Sequence, residues 1–223
     1  MGLDLSNPEY AKAIEHYLSG RWKEAREALE GLHAQNPRDH YVLLLLAKSM
    51  YSLGRLEEAI ELLQKAVVLN PEFGNAYYEL GVCYYRCGLL ERGLAAFNKV
   101  LTLGGQSHAM ASYFVGLINH LLGNDAAALE GFANLRKVSR ESLIANFYLA
   151  QLKMKERKYD EALGLLKELA EVTPNLAEVH YLLGTAQFHL HNNTDAIKSY
   201  RKTLELNPND TRARAVLEML IDV

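Results

Sequence analysis

The chain has 223 residues, of which 49% are hydrophobic, enough to bury the core of one or two domains. Lysine and arginine number 24 against 27 aspartate and glutamate residues, which gives a formal net charge of -3. A protein that binds nucleic-acid backbone is expected to carry a cationic excess, so the composition argues against a nucleic-acid partner.

The amino-terminal segment, from Met1 to Ser6, does not resemble a secretory signal. An acidic residue, Asp4, stands where such a signal needs a basic stretch followed by a long apolar one. Apolar runs such as residues 41–47 are far shorter than the roughly 20 residues needed to cross a bilayer. We therefore predict no membrane span and a cytoplasmic location. Gly2 with Ser6 matches the myristoylation pattern, but a start-glycine pair is also a common cloning remnant, so modification of Gly2 stays open.

A proline recurs in one phase along the chain, after asparagine at residues 36–37, 70–71 and 207–208 and after threonine at 173–174. An alanine stands 12 residues before each proline. From Ala25, steps of 34 residues reach Ala59 and then Gly93, a step of 35 reaches Ala128, and two further steps of 34 reach the last two of these alanines, 162 and 196. Such a fixed period is the signature of a repeat architecture. We therefore predict six repeats, with residue 108 as a one-residue insertion: 6-39, 40-73, 74-107, 109-142, 143-176 and 177-210.

Within each repeat the residue sizes predict two helices that approach closely, because position 8 is small and position 24 is large. The small residues are Ala13, Ala47, Gly81, Gly116, Ala150 and Gly184, and the large ones are Leu29, Leu63, Phe97, Phe132, Leu166 and Tyr200. Position 15 predicts a left-handed turn between the helices, since glycine favours that conformation. Its residues are Gly20, Gly54, Gly88 and Gly123, followed by Arg157 and His191.

The pattern weakens between the third and fourth repeats. Gly93 replaces the small alanine, Gly104-Gly105 replaces the proline junction, and Arg140 replaces the fourth proline. Ordinary drift, which an array stabilised by nearest neighbours tolerates, explains these changes. A hinge near residues 104–108 is the alternative, because glycine permits it.

Residues 211–223 follow the last repeat and are predicted to form a C-terminal capping helix. Two of its charged residues, Arg214 and Glu218, are expected to face solvent and end the stack. The residues expected to face the sixth repeat are Ala213, Val216, Leu217, Leu220 and Ile221.

The repeated pattern has a Leu-Gly pair at positions 7 and 8, as in Leu80-Gly81 and Leu183-Gly184, alanine at position 20, an aromatic residue at position 24 and proline at position 32. This pattern resembles the tetratricopeptide repeat, over residues 6–210. The resemblance implies an all-α fold, a right-handed superhelical α-α solenoid of stacked antiparallel helix pairs that forms one domain. It also implies a non-catalytic scaffold or adaptor that binds other proteins.

The resemblance further implies that positions 2, 5, 9, 12 and 13 of each first helix line a concave groove for a peptide or helix of a partner. Positions 5 and 12 form two largely aromatic stripes, and tyrosine offers a large contact area at little rotamer cost. These rings can instead pack on neighbouring helices, and that alternative stays open. The predicted groove residues are Tyr10, Tyr17, Leu44, Lys48, Tyr51, Tyr78, Val82, Tyr85, Arg86, Tyr113, His120, Phe147, Gln151, Met154, Tyr181 and Phe188.

Charge in the predicted groove is sparse. It favours a mildly acidic or amphipathic ligand if the charges contact it, but the charges can also be the solvated ends of long side chains. Family members that bind chaperone tails use a five-residue carboxylate clamp, and no three consecutive repeats here supply it, so chaperone tails are not expected ligands. The charged residues are Lys48, Arg86, Lys155, Arg212, Glu79 and Glu178.

The sequence contains no glycine-rich phosphate loop, no glycine-flanked nucleophilic serine and no His-Glu metal pair. Cys83 and Cys87 lie four residues apart and could share a metal, but no histidine is in phase with them, so two reduced thiols in a reducing compartment are predicted. His189 and His191 project from different sides of a helix. We therefore predict no catalytic residue, no metal and no cofactor.

Three functional hypotheses follow from the pattern. The leading one is the protein-binding scaffold. The second is a self-assembling building block that uses an exposed end or the convex face. The third, a chain that regulates or carries an enzyme encoded nearby, cannot be separated from the first by sequence.

Overall fold

The computed structural model describes residues 7–105, 108–139 and 142–221, and all regular structure in these ranges is α-helical. Gly2, Ser6 and Arg140, on which parts of the sequence interpretation depend, lie outside the described residues. The helices are α1 Pro8–Leu18, α2 Trp22–Gln35, α3 His40–Ser52, α4 Leu56–Leu69, α5 Gly74–Arg86, α6 Leu90–Leu103, α7 His108–Leu121, α8 Asp125–Val138, α9 Leu143–Lys155, α10 Tyr159–Val172, α11 Ala177–His189, α12 Asn193–Leu206 and α13 Thr211–Ile221.

The chain divides into two compact units, Met1–Ile118 (unit 1) and Asn119–Val223 (unit 2), and the boundary falls inside α7. In unit 1 each helix from α1 to α5 packs against the next one, and α3 also contacts α5. In unit 2 each helix from α8 to α12 packs against the next one, and α9 also contacts α11. Stacked helix pairs of this kind confirm the predicted all-α solenoid architecture. The number of repeats, and their assembly into one domain over residues 6–210, stay predictions.

A single residue with left-handed backbone turns the chain between the two helices of a pair, as predicted. The glycines Gly20, Gly54, Gly88 and Gly123 have φ angles of 71°, 79°, 72° and 77°. Arg157 and His191 adopt the same conformation, each with φ of 61°, although a Cβ atom makes this region costly. The position in the repeat therefore fixes the turn even where the residue does not favour it.

Side chains at the repeat junctions cap several first helices. Asp39 accepts hydrogen bonds from the backbone N–H groups of Tyr41 and Val42, at 2.9 and 3.2 Å, before α3. Asp210 does the same before α13. Capping satisfies N–H donors that the helix itself leaves unpaired, so these residues define where the first helices begin.

Close approach of the paired helices explains the small and large positions. A Cβ atom built on Gly81 would lie 2.8 Å from the ring of Phe97, and one on Gly184 would lie 3.1 Å from the ring of Tyr200. Phe97 and Tyr200 are themselves almost completely buried. The predicted contact between small and large residues is therefore confirmed at these two pairs.

The last helix, α13, packs against α12 of the preceding helix pair. Ala213 is fully buried, and three further apolar side chains pack on a cluster that includes Tyr200. Ile221 was expected to face the same cluster, but it is 55% exposed, because it follows Leu220 directly and so lies about 100° further round the helix. The three packed side chains are Val216, Leu217 and Leu220.

The irregular junction lies between α6 and α7. Gly104 and Gly105 both have positive φ, 73° and 99°, which glycine adopts readily and an Asn-Pro pair could not. Residues 106–107 lie outside the described part, and a hinge near 104–108 stays a prediction. Among the described residues, no helix has the length and apolar character that a membrane span requires.

Candidate functional site

The predicted groove residues of unit 1 lie on α1, α3, α5 and the first part of α7. Five of them are tyrosines whose rings are half-buried, so each ring is held by packing and still presents part of its surface. We call this set the tyrosine face. Its members are Tyr17, Tyr51, Tyr78, Tyr85 and Tyr113.

Phe114 joins three of these tyrosines. Its ring stacks on Phe97 with centroids 4.6 Å apart, and it makes edge or tilted contacts with Tyr78, Tyr85 and Tyr113 at 6.3, 5.4 and 5.3 Å. Offset and edge contacts of this kind stabilise aromatic clusters. The cluster fixes the three tyrosine rings relative to one another. Sequence reasoning missed Phe114, although an aromatic pair at positions 5 and 6 of the fourth repeat was a visible signal.

Lys48 and Glu79 form an ion pair between α3 and α5, with Nζ 2.7 Å from Oε1. Lys48 also lies over the ring of Tyr17, 5.9 Å from its centroid. Burial acts to lower the pKa of Lys48, but the hydrogen bond and charge of Glu79, assisted by Tyr17, outweigh it and raise the pKa above the usual value. Lys48 is therefore a charged residue whose carboxylate partner belongs to the protein itself.

Arg86 contacts Tyr51 across the same two helices. One guanidinium nitrogen donates to the Tyr51 hydroxyl at 3.1 Å, and the guanidinium carbon lies 5.3 Å from the ring centroid. The side chain is otherwise exposed. Val82, one turn earlier on α5, is half-buried in the cluster with Tyr78 and Tyr85.

Two predicted groove residues of unit 1 are buried. Tyr10 is 7% exposed and donates its hydroxyl to Asp39, and Leu44 is 8% exposed within the core. Their side chains leave little surface for a ligand, since both pack into the first helix pairs. Tyr10, at position 5 of the first repeat, therefore packs inside the protein, which is the alternative that the sequence left open.

The predicted groove residues of unit 2 are all half-buried. Tyr148, which sequence reasoning missed, stacks on Phe132 at 4.6 Å and contacts His120 and Phe147 at 5.5 and 5.8 Å. It occupies the same repeat position as Phe114 in unit 1. The predicted residues are His120, Phe147, Gln151, Met154, Tyr181 and Phe188.

Arg212 connects α13 to α11. Its guanidinium lies 4.1 Å from the ring centroid of Tyr181 and 2.6 Å from a carboxylate oxygen of Glu178, and it also binds Asp210. The hydrogen bonds to Asp210 and then Glu178 raise the pKa of Arg212 above its usual range. Arg212 is thus engaged by the protein's own carboxylates.

The two cysteines differ in their exposure. Cys83 is buried, and this burial raises the pKa of its thiol to about 12, whereas Cys87 is exposed. Both are free thiols. Within the described ranges, no group of three or more histidine, cysteine, aspartate or glutamate residues is arranged to hold a metal ion.

A cleft of about 760 Å³ lies elsewhere in unit 2, among α8, α9 and α10. It contains none of the predicted groove residues. Two of its cations are already paired, Arg136 with Glu168 at 2.9 Å and Lys153 with Glu161 at 2.8 Å. Its lining residues are Ala133, Arg136, Lys137, Leu149, Lys153, Glu161 and Leu165.

Stacked helix pairs with a left-handed turn inside each pair define a helical repeat protein. Models of the tetratricopeptide repeat match residues 74–103 and 153–220, and a TPR repeat model matches residues 47–88, so together they span more than half of the chain. The chain is a tetratricopeptide repeat protein.

Several solved structures share the fold. YrrB, a TPR protein with an unusual peptide-binding site, is 23% identical over 87% of this chain and 100% of its own, with a TM-score of 0.78. PilF of Pseudomonas aeruginosa is 17% identical over 93% of this chain and 94% of its own, with a TM-score of 0.73. MamA of Desulfovibrio magneticus RS-1 is 19% identical over 77% of this chain and 97% of its own, with a TM-score of 0.66. No curated protein matches the chain.

Proposed function

We propose that the chain is a non-catalytic scaffold that binds a peptide or helix of a partner protein through the tyrosine face of unit 1. The observation that carries the proposal is the cluster of Tyr78, Tyr85 and Tyr113 around Phe114. Rings that are already fixed lose little conformational entropy when a ligand binds, and each still presents an open surface.

A solved structure with the same fold also supports the proposal. YrrB, which shares the fold, is described as having a peptide-binding site. Tyrosine hydroxyls are protonated at neutral pH and can also hydrogen-bond an extended backbone, and burial raises the pKa of Tyr78 still further. The partner itself is a protein of unknown identity, and the predicted cytoplasmic location would be its compartment.

The test replaces Tyr78, Tyr85 and Tyr113 by alanine in the full chain. Affinity purification followed by mass spectrometry identifies the proteins that the wild-type chain retains, and the triple variant is expected to lose them. A triple phenylalanine variant keeps the rings and is expected to retain most of the binding. Circular dichroism and thermal unfolding establish that each variant is folded.

The matched control is Tyr77→Ala, which removes a ring from α5 on the side where Lys99 lies 6.0 Å from the ring centroid. This position is not among the predicted groove residues, so partner capture should be unchanged. Undiminished capture by a folded triple alanine variant would remove the tyrosine face as the binding site.

Self-association is a second candidate, supported by apolar residues of unit 2 that remain exposed at the ends of helices. Val138, Ile144 and Val172 are 57%, 50% and 65% exposed, and Leu176 is 47% exposed. Exposed apolar residues that form a contiguous patch often mark interaction surfaces. Light scattering over a range of concentrations tests this function, and a constant monomer mass would eliminate it.

A further inference from the structure

The cations of the predicted groove differ in their partners, which bears on the chemistry of the ligand. Lys48 pairs with Glu79 at 2.7 Å. Lys155 pairs with Asp125. Arg212 lies 2.6 Å from a carboxylate oxygen of Glu178. Three of the four cations are therefore neutralised by carboxylates of the chain.

Arg86 is the fourth cation, and its partner is neutral. No ion pair among the described residues includes it, and its hydrogen bond goes to the Tyr51 hydroxyl. A guanidinium carries five N–H donors in a planar fork, so most of its donor capacity faces outward from an exposed side chain. The positive charge of Arg86 is thus available to a ligand on the tyrosine face.

Tyr51 also holds the guanidinium in place. The hydrogen bond of 3.1 Å and the position 5.3 Å from the ring centroid both restrain a side chain that would otherwise sample many rotamers. A restrained fork loses less entropy when it binds a carboxylate. On the same side of α5, one turn away, lies the apolar side chain of Val82.

We propose that Arg86 is the anion-binding residue of the tyrosine face, and that it selects a partner peptide carrying one carboxylate next to apolar or aromatic side chains. The carboxylate accepts hydrogen bonds from the free edge of the guanidinium, while the neighbouring side chains pack on Val82 and the tyrosine rings. This inference rests on the proposed function of the same face. It differs from the chaperone-tail clamp, since a single cation supplies the recognition.

Removing Arg86 should reduce the preference for acidic peptides, and breaking the ion pair of Lys48 with Glu79 should increase it. Glu79→Gln would remove the carboxylate and leave Lys48 positively charged without a charged partner on α5. The tyrosine face of this variant then carries two available cations. It is expected to favour peptides with two carboxylates over peptides with one.

The test selects short random peptides, displayed on phage, against the full wild-type chain and against folded Arg86→Gln, Arg86→Lys and Glu79→Gln variants. Peptides retained by the triple alanine variant of Tyr78, Tyr85 and Tyr113 are first removed, so only those that need the tyrosine face remain. The wild-type pool should be enriched in sequences with one aspartate or glutamate beside apolar residues. The Arg86→Gln pool should lose this acidic preference, and the Glu79→Gln pool should gain a second acidic residue.

Fluorescence anisotropy then measures directly how Arg86 affects affinity. The labelled ligands are a selected peptide and its Glu→Gln counterpart. Arg86→Gln should weaken binding of the acidic peptide about tenfold, as expected for the loss of a hydrogen bond between charged groups. The neutral peptide should bind both proteins equally. Added salt should weaken the acidic peptide's binding to the wild type, since an exposed charge pair is screened, and Arg86→Lys should preserve that salt dependence. Tyr51→Phe keeps the cation and should preserve it too.

Two outcomes overturn the proposal and are distinguishable. In the first outcome, the selected peptides depend on the tyrosine face but show no acidic preference, and Arg86→Gln binds them as well as the wild type does. This result would leave the groove function intact and remove the role of Arg86. Failure to select any peptide that depends on the three tyrosines would contradict both the proposed function and the role of Arg86.

Discussion

At Arg157 the backbone has a φ of 61°, a conformation in which the first four repeats place glycine. We expect Arg157→Gly to raise the free energy of unfolding by about 1 kcal/mol, because it removes the clash between Cβ and the neighbouring carbonyl. Urea denaturation measures the change. Arg157→Ala is the matched control, since it removes the long side chain but keeps Cβ, and it should give no gain. Equal stabilisation by alanine and glycine would contradict the strain explanation.

Asp210 caps α13 and is 6% exposed. The hydrogen bond from Arg212, followed by the caps to backbone N–H groups, lowers the pKa of Asp210 below its usual value. A depressed folded-state pKa means that the carboxylate stabilises the fold above its unfolded-state pKa and loses this contribution as the pH falls through the folded-state pKa. The protein should therefore lose stability below about pH 4.

Asp210→Asn isolates this contribution, because the asparagine cannot titrate. The variant should be less stable than the wild type at neutral pH, and the difference in the free energy of unfolding should shrink as the pH is lowered below about 4. Urea denaturation at a series of pH values gives both curves. A difference that stays constant down to the lowest pH would show that Asp210 is not the titrating group.

Among the helices, two glycines with opposite surroundings provide a paired test of packing. Gly81 on α5 faces Phe97 so closely that an added Cβ would lie 2.8 Å from the ring, whereas no described atom lies within 4 Å of a Cβ added at Gly164 on α10. Gly81→Ala should lower the free energy of unfolding by about 1–3 kcal/mol through overpacking. Gly164→Ala should raise the free energy of unfolding by about 1 kcal/mol, because alanine has a higher helix propensity than glycine in an exposed helix.

Thermal or urea unfolding of the two single variants checks these signs. Both substitutions add the same methyl group to a helix, so intrinsic helix propensity alone predicts stabilisation in both cases. Stabilisation by Gly81→Ala would mean that Phe97 can move away at little cost.

The sequence predicted the helix pairs and their turns well, because these depend on features that recur every repeat. The left-handed turn at Arg157 follows from its position, and the small residue at Gly81 from its partner Phe97. Contacts between neighbouring repeats were harder to predict. The stacking of Phe114 and the pairing of Lys48 with Glu79 depend on helix angles and rotamers that a residue pattern does not specify. The pairing with Glu79 gives Lys48 a charged partner within the chain itself, which the residue pattern did not predict.

At the scale of the whole chain, stability is expected to vary with the number of neighbours that each helix has. The end helices α1 and α13 each pack mainly on one neighbour, whereas α3, α5, α9 and α11 each pack on three. In a nearest-neighbour array the ends open most readily. Hydrogen exchange followed by mass spectrometry should show the fastest backbone exchange in α1 and α13 and slower exchange in α3, α5, α9 and α11. Uniform protection along the chain would indicate a single cooperative unfolding unit instead.

The two cysteines differ enough in exposure for one of them to be labelled selectively. Cys83 is buried with a thiol pKa of about 12, so it resists alkylation at neutral pH, while Cys87 is exposed and directly follows Arg86. A thiol-reactive fluorophore should therefore attach at Cys87 alone, beside the residue proposed to bind the carboxylate. Partner binding could then be followed optically in the native sequence, without introducing or removing a cysteine.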